Sequence, residues 1–242
     1  MQIEQVFYII QPVIHRINTW LQKKYVILVN NTVLNLTSLQ MLKLDTRKAS
    51  AEFIQKNIRN TLIFSDRLKI QQYVLERTAN RNGDIMEFGV AGGGSIKRFD
   101  AFVKSKNLDK KVFGFDSFLG LGETWTELNS YDDFNRGGIP PKLPKTIELI
   151  VGEVQATLPN FLKSYNGAIC LIHIDTDSYA PAKFILSKIK DHLQVGTVIL
   201  FDDYHGLLGW QYGEHLALNE ELDSIRYRYI AFGPHQAAIE IV

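Results

Sequence analysis

From Asp84 to its last residue the chain alternates short β-rich runs with segments long enough to hold a helix, and this rhythm limits the possible folds more than any other feature of the 242 residues. The runs are Ile85 to Val90, Lys111 to Asp116, Ile147 to Val151, Ala168 to Asp175, Thr197 to Asp203, Tyr227 to Phe232 and Gln236 to Val242. Four of the first five are nearly continuous apolar stretches, as parallel strands covered on both faces require, and their connections are long enough for crossovers. Only Gly233, Pro234 and His235 separate the last two, a connection that joins antiparallel strands alone. The pattern predicts an α/β fold: a doubly wound, Rossmann-like sheet of seven strands, mostly parallel, ending in an antiparallel hairpin.

Residues 1–83 follow a different pattern. Phe7, Ile10, Ile14, Ile17 and Leu21 recur at helical spacing, and Phe53 to Arg59 and Leu68 to Arg77 also read as amphipathic helices, whereas 25–44 suit strand or helix equally. The expected division is a helical cap or dimerisation arm over 1–83 and a catalytic core over 84–242, which makes a homodimer or higher homo-oligomer the expected assembly. Charge divides at the same place. Residues 1–83 hold 12 Lys and Arg against 5 Asp and Glu, a net of +7, and 84–242 hold 15 against 21, a net of −6. Opposite charges favour docking of the arm on its own core or on a partner subunit.

The whole chain is nearly neutral, at +1, which speaks against nucleic acid as a partner, and its 45% hydrophobic content excludes a disordered chain. The longest aliphatic run near the start, Tyr25 to Val29, is far short of the roughly 20 residues of a membrane span. One cysteine, Cys170, cannot form an internal disulfide, and no signal-peptide pattern opens the sequence, so a cytoplasmic location is expected.

Three strand ends carry residues suited to chemistry. Glu87-Phe-Gly-Val-Ala-Gly-Gly-Gly-Ser95 closes the first strand and opens a helix; its glycines let the backbone turn sharply and approach a ligand, and the helix offers free N–H groups. The order from Gly89 departs from the G-x-G-x-x-G of dinucleotide folds. Asp116, followed by Ser117, ends the second strand, where an acid is placed to accept hydrogen bonds from ribose hydroxyls. Asp175 and Asp177 end the fourth strand and Asp202 and Asp203 the fifth, and adjacent strands lie about 4.8 Å apart, so these carboxylates converge. Converging carboxylates hold a cation or a proton, and oxygen ligands suit a hard ion such as Mg²⁺. His205 follows the acid pair and is a general-base candidate, whereas His173, inside an apolar strand, reads as a core histidine and Cys170 as packing. The long segment 118–145 reads as a lid, with Trp125, Tyr131 and Phe134 available to line an acceptor pocket. These features leave open a methyltransferase, a nicotinamide-dependent oxidoreductase and a non-catalytic binding protein.

Taken in order, E-F-G-V-x-G-G-G-S, G-F-D-S-F-x-G-L, G-E-V-x-x-T-L-P, I-H-I-D-T-D-S-Y and G-T-V-I-L-F-D-D-Y resemble the motifs of the macrocin-type O-methyltransferase family, over roughly residues 65–242. These are class I enzymes that use S-adenosylmethionine, several of them methylating sugar hydroxyls of natural products with help from Mg²⁺. A sheet ending in an antiparallel hairpin is also theirs. The resemblance implies a small-molecule hydroxyl acceptor and a cofactor surrounded by Glu87, Gly89, Gly93 and Ser95 at its methionine end, Asp116 with Ser117 at the ribose, and Gly152 and Glu153 near the adenine. It further implies a metal on Asp175, Asp202 and Asp203; beside such a metal, Asp175 or His205 is placed to take the hydroxyl proton. The chain departs from the family in reading Asp175-Thr-Asp177 where D-G-D is common, and in placing His205 where many members have a small residue.

Overall fold

A computed structural model describes residues 19–21, 36–121 and 134–242. The chain divides into two compact units, Met1–Asp45 and Thr46–Val242. In the first, residues 19–21 are helical, and Thr37 and Gln40 open helix α1 (Ser38–Asn57) with a reciprocal cap. The Gln40 N–H donates to Thr37 Oγ1 at 3.2 Å, and the Thr37 N–H donates to Gln40 Oε1 at 2.8 Å, so each side chain satisfies an amide that the first turn leaves free. Residues 38–44 of the ambiguous stretch are thus helix, and 25–35 lie outside the described residues, as does most of the helix expected from Phe7 to Leu21.

The second unit is built on one eight-stranded sheet. Its elements are β1 (Leu62–Ile63), α2 (Arg67–Thr78), β2 (Asp84–Phe88), α3 (Gly94–Ser105), β3 (Val112–Asp116), β4 (Ile147–Val151), α4 (Val154–Ser164), β5 (Ile169–Ile174), α5 (Tyr179–Ile189), β6 (Val198–Phe201), α6 (Glu214–Glu221), β7 (Tyr227–Phe232) and β8 (Ala237–Ile241). The strands lie in the order β1-β7-β8-β6-β5-β2-β3-β4. All seven expected strands form, with β8 antiparallel to both β6 and β7 and the pairs among β2 to β6 parallel. The eighth strand corrects the expected count: Leu62 and Ile63 pair in parallel with Ala231 and Phe232 at the sheet edge. The compact unit that bears the sheet begins at Thr46.

Alternation along the strands divides the core in two. Met86, Phe88, Phe113, Phe115, Ile172, Ile174, Ile199 and Phe201 pack against Leu158 of α4, Ile185 and Leu186 of α5 and Leu218 of α6. Ile85, Val112, Leu171, Val198 and Leu200 face the other way, against Ile70 and Val74 of α2 and Ile96 and Phe99 of α3. Side chains two residues apart share a face, which produces the doubly wound arrangement. The same parity puts two polar side chains, Glu87 and His173, on the α2 and α3 side, where they are neighbours in register and fully buried. Helix α2 is fastened by charge as well as packing: Glu240 of β8 accepts from Arg77 and Arg81 at 2.7 Å each and from Arg228 at 2.5 Å.

Candidate active site

Counted from β2, the first seven positions of the parallel core and its hairpin read 3-2-1-4-5-7-6. The order therefore reverses between β2 and β5. Chains leaving neighbouring strands on opposite sides of such a point open a crevice at the strands' carboxyl ends, where open α/β sheets bind ligands. A cavity of about 590 Å³ lies there. Gly89, Ala91, Gly92, Ser95, Asp116, Ser117, Gly152 and Glu153 line one part of it, and Arg67, Asp175, Thr176, Asp177, Asp202 and Asp203 another.

The glycine turn is shaped by close approach. Gly89 has φ +88°, and a Cβ there would stand 1.8 Å from the Asp175 carbonyl oxygen, so no side chain fits. Gly93, also at positive φ, leads into α3, and a Cβ on it would press on Leu143 at 2.6 Å. It does not line the cavity. Glu87 lies beneath the turn instead of facing the cavity, accepting from Ser95 Oγ at 2.8 Å. Asp116 has the most structural duty of the expected cofactor residues: Oδ2 accepts from the N–H groups of Val90 and Ala91 and Oδ1 from that of Phe118, all at 2.7 Å. A carboxylate offers about four acceptor positions, so Asp116 shapes the turn and has roughly one position left for a ligand. Gly152, at φ +137°, donates its N–H to the Asp116 carbonyl at 3.0 Å and brings Glu153 to the cavity wall.

The acids converge as the strand ends require, but in two groups. Ligand atoms of His173, Asp175 and Asp202 lie within 4.8 Å of one another, and so do those of Asp175, Asp177 and Asp203. The expected trio Asp175, Asp202 and Asp203 is therefore shared between the groups. His173 Nδ1 faces Glu87 Oε2 at 3.3 Å and its Nε2 faces Asp202 Oδ1 at 3.6 Å. Burial alone would depress this imidazole, but Asp202 and Glu87 outweigh it and lift its pKa to about 10, so it is an imidazolium at neutral pH. Burial would raise Asp202, yet His173 and Arg67 hold its carboxyl below the usual range. Asp177 and Asp203 are pushed up, by burial first and then by neighbouring carboxylates. Asp175 is raised in the same way, by burial and by Asp202. Oxygen donors that repel one another in this manner fit a hard divalent cation.

His205 is a correction to the sequence reading. Its Nδ1 lies 3.0 Å from Ser50 Oγ and its Nε2 3.1 Å from the Gln236 carbonyl, the ring is buried, and it does not line the cavity. Burial holds its pKa down at about 4, the opposite of what a base poised near neutrality needs. Trp125 and Tyr131 lie outside the described residues, and Phe134 lines the cavity as expected. Two residues escaped the sequence reading. Arg67 was hidden because its partners are more than a hundred positions away; its Nη2 lies 2.8 Å from both Asp175 Oδ2 and Asp202 Oδ2. Glu214 is fully buried and accepts the Asp203 N–H at 3.1 Å, and no sequence signal marked it.

The strand order with one reversed strand, and a cavity walled by a glycine turn and an acid cluster, define a class I methyltransferase fold, in agreement with the resemblance of the motifs. Residues 86–204 match the family model described as a methyltransferase domain. The calicheamicin methyltransferase CalS11 superposes with a TM-score of 0.59 and 22% identity, over 72% of this chain and 77% of its own. Its apo structure, described as a TDP-rhamnose 3′-O-methyltransferase, gives 0.53 and 23% over the same shares. The O-methyltransferase NovP gives 0.56 and 19%, over 72% and 80%. At these identities the likeness is one of fold. No curated protein matches the chain.

Proposed function

We propose that the protein is an S-adenosylmethionine-dependent O-methyltransferase that transfers a methyl group to a hydroxyl of a small molecule, such as a sugar of a natural product, assisted by a divalent ion. The observation that carries this reading is the meeting, in one cavity, of the glycine turn and the acid cluster. CalS11 and NovP, which share the fold, support the sugar and the hydroxyl as the acceptor class. The volume lies within the roughly 300–1,000 Å³ of small-molecule sites.

S-adenosylmethionine supplies a methyl group already activated by its sulfonium: the acceptor oxygen bonds to the methyl carbon, the C–S bond breaks, and its electron pair stays on sulfur. The protein's work is then orientation and removal of one proton. Gly89, Gly92 and Ser95 form the wall for the methionine part, and Asp116, Ser117, Gly152 and Glu153 that for the nucleoside. Asp175 accepts the hydroxyl proton. Asp175 and Asp203, with a third carboxylate, would hold Mg²⁺, which orients a hydroxyl and acidifies it. Among the described residues no helix is long and apolar enough to cross a membrane.

The test is calorimetric titration with S-adenosylmethionine and, in parallel, NAD, followed by radiolabelled methyl transfer to a panel of nucleotide sugars and phenols with Mg²⁺ or chelator. Binding of S-adenosylmethionine and label in a hydroxylated acceptor are expected. Binding of NAD in its place would sink the proposal, and transfer undiminished by chelator would sink the metal's part in it.

A further inference from the structure

Of the successive glycines Gly92, Gly93 and Gly94, only Gly93 has a positive φ, so backbone conformation does not account for the other two. A Cβ on Gly92 would meet nothing within 4 Å, and one on Gly94 would meet Arg98 Nη1 at 3.5 Å. Gly92 and Gly94 line the cavity, and so does Arg98, one turn further along α3. The two glycines thus keep the space beside that guanidinium clear of side chains. Arg98 is held from behind: its Nε and Nη2 donate to Gln71 Oε1 at 3.1 and 2.8 Å. Gln71 lies on α2, is 2% exposed, and brings no charge to the contact. The two cations at the cavity therefore differ. Arg67 is paired with Asp175 and Asp202, whereas Arg98 has no ion pair among the described residues. Burial and the like charge of Arg67 outweigh the more distant carboxylates and hold the Arg98 pKa below the ordinary arginine value, so its charge is poorly compensated where it stands. A guanidinium fixed by a neutral group on one edge presents its remaining N–H groups, in a planar fork, to a carboxylate or phosphate.

We infer that Arg98 is the anion-recognising residue of this cavity and Gln71 the positioning residue that aims it: the free N–H groups of Arg98 take an oxyanion of a bound ligand, a carboxylate or a phosphate. Two sources bring such a group to the cavity, the amino-acid end of the cofactor and an acceptor that is itself acidic. The inference rests on the methyl-transfer reading above only in naming the first of them. Glutamine behind the guanidinium fixes its plane and leaves its charge for the ligand, whereas a carboxylate in the same place would neutralise that charge before any ligand arrived.

The experiment is calorimetric titration of the whole protein with three probes. S-adenosylhomocysteine carries the carboxylate, methylthioadenosine is the same nucleoside without the amino-acid group, and inorganic pyrophosphate is added with S-adenosylhomocysteine saturating. Arg98→Gln is expected to weaken one of the two anionic probes by about tenfold or more, the scale of a charge-assisted hydrogen bond, and to leave methylthioadenosine within about threefold. A loss on S-adenosylhomocysteine assigns the anion to the cofactor, and a loss on pyrophosphate assigns it to the acceptor. Gln71→Glu, which keeps the shape and sets a negative charge against Arg98, should reproduce the same pattern, and Arg98→Lys should recover part of the affinity. Thermal melts confirm that each variant is folded. The inference is overturned if Arg98→Gln leaves both anionic probes within about threefold of wild type, or if methylthioadenosine loses as much as they do. Wild-type affinity in Gln71→Glu would remove Gln71 from the site. Should S-adenosylhomocysteine fail to bind the wild type, the methyl-transfer reading falls, and pyrophosphate titrated alone still decides whether Arg98 takes an anion.

Discussion

Replacing Gly89 by Ala separates the glycines that the fold requires from those that a ligand requires. The new Cβ would sit 1.8 Å from the Asp175 carbonyl oxygen, so the strand ends must part by at least 1.2 Å to reach the 3.0 Å below which real contacts are essentially never seen. That displacement strains the Asp175 N–H bond to the Phe88 carbonyl, 2.9 Å long, and the Gly89 N–H bond to the Phe115 carbonyl, 3.0 Å long. Losing one such buried bond costs about 1–3 kcal/mol. Holding Ala at φ +88° costs about 1–2 kcal/mol more, against which the stiffer unfolded chain returns about 0.4–1 kcal/mol. The net is a destabilisation of about 3 kcal/mol, or about 6–12 °C in melting temperature for a chain of this size. Gly92→Ala is the control. A Cβ there meets nothing within 4 Å and its φ is ordinary, so stability should hold or rise by up to about 1 kcal/mol while the added methyl enters the cavity and weakens ligand binding. Differential scanning fluorimetry and calorimetric titration with S-adenosylmethionine read the two effects separately. A Gly89→Ala melting point within about 2 °C of wild type, or a Gly92→Ala loss as large as that of Gly89→Ala, would refute the reasoning.

Three further outcomes are expected. His205→Gln should leave turnover per folded molecule within about threefold of wild type, since the ring lies outside the cavity; a larger loss would restore it as the base. Because the folded pKa of His205, about 4, lies below its unfolded value near 6.5, the wild type loses stability as pH falls through that window, and the variant lacks this loss. Urea titrations at pH 7 and 4.5 should show the difference between the two shifting by roughly 2–3 kcal/mol in the variant's favour at the lower pH, and a constant difference would contradict the neutral buried ring. Asp116→Ala frees three N–H groups and should weaken S-adenosylmethionine binding by about tenfold or more, with Asp116→Asn intermediate; wild-type affinity in the alanine variant would show that the turn holds its shape unaided. Cys170, 1% exposed and with its thiol pKa raised by burial, should react with a disulfide reagent only at the rate of unfolding, and prompt labelling of the native protein would overturn that placement.

What the sequence made legible was whatever repeats or sits next to its cause. The apolar runs of the seven longer strands announce themselves, and the three-residue link at Gly233 to His235 dictates antiparallel pairing. Leu62 and Ile63 are too short to show a period, and their partners, Ala231 and Phe232, are 169 positions away in each pair. The strand-end acids were legible because parallel strands bring their carboxyl ends to one edge. How four aspartates divide was not, since that depends on which faces meet Arg67 and His173. His205 misled because its place after Asp202 and Asp203 suggests the cavity, whereas its ring turns to Ser50 on α1. Asp116 lines the cavity, but its bonds to the neighbouring loop depend on a turn conformation that composition does not encode.

The position of β8 bears on how the protein is made. Strand β6, which ends beside Asp202, is paired on one side by β5 and on the other by the reversed strand β8, which follows the other described strands in the chain. Until β8 is added, a nascent chain can set β2 to β6 side by side but leaves β6 with an open, wholly apolar edge, the kind of edge that recruits other chains. The bond from Gln236 to Asp202 and the anchor from the Gln236 carbonyl to His205 also wait for that segment. A chain cut short before Gln236 therefore lacks both the cover on β6 and the two bonds at Asp202 and His205.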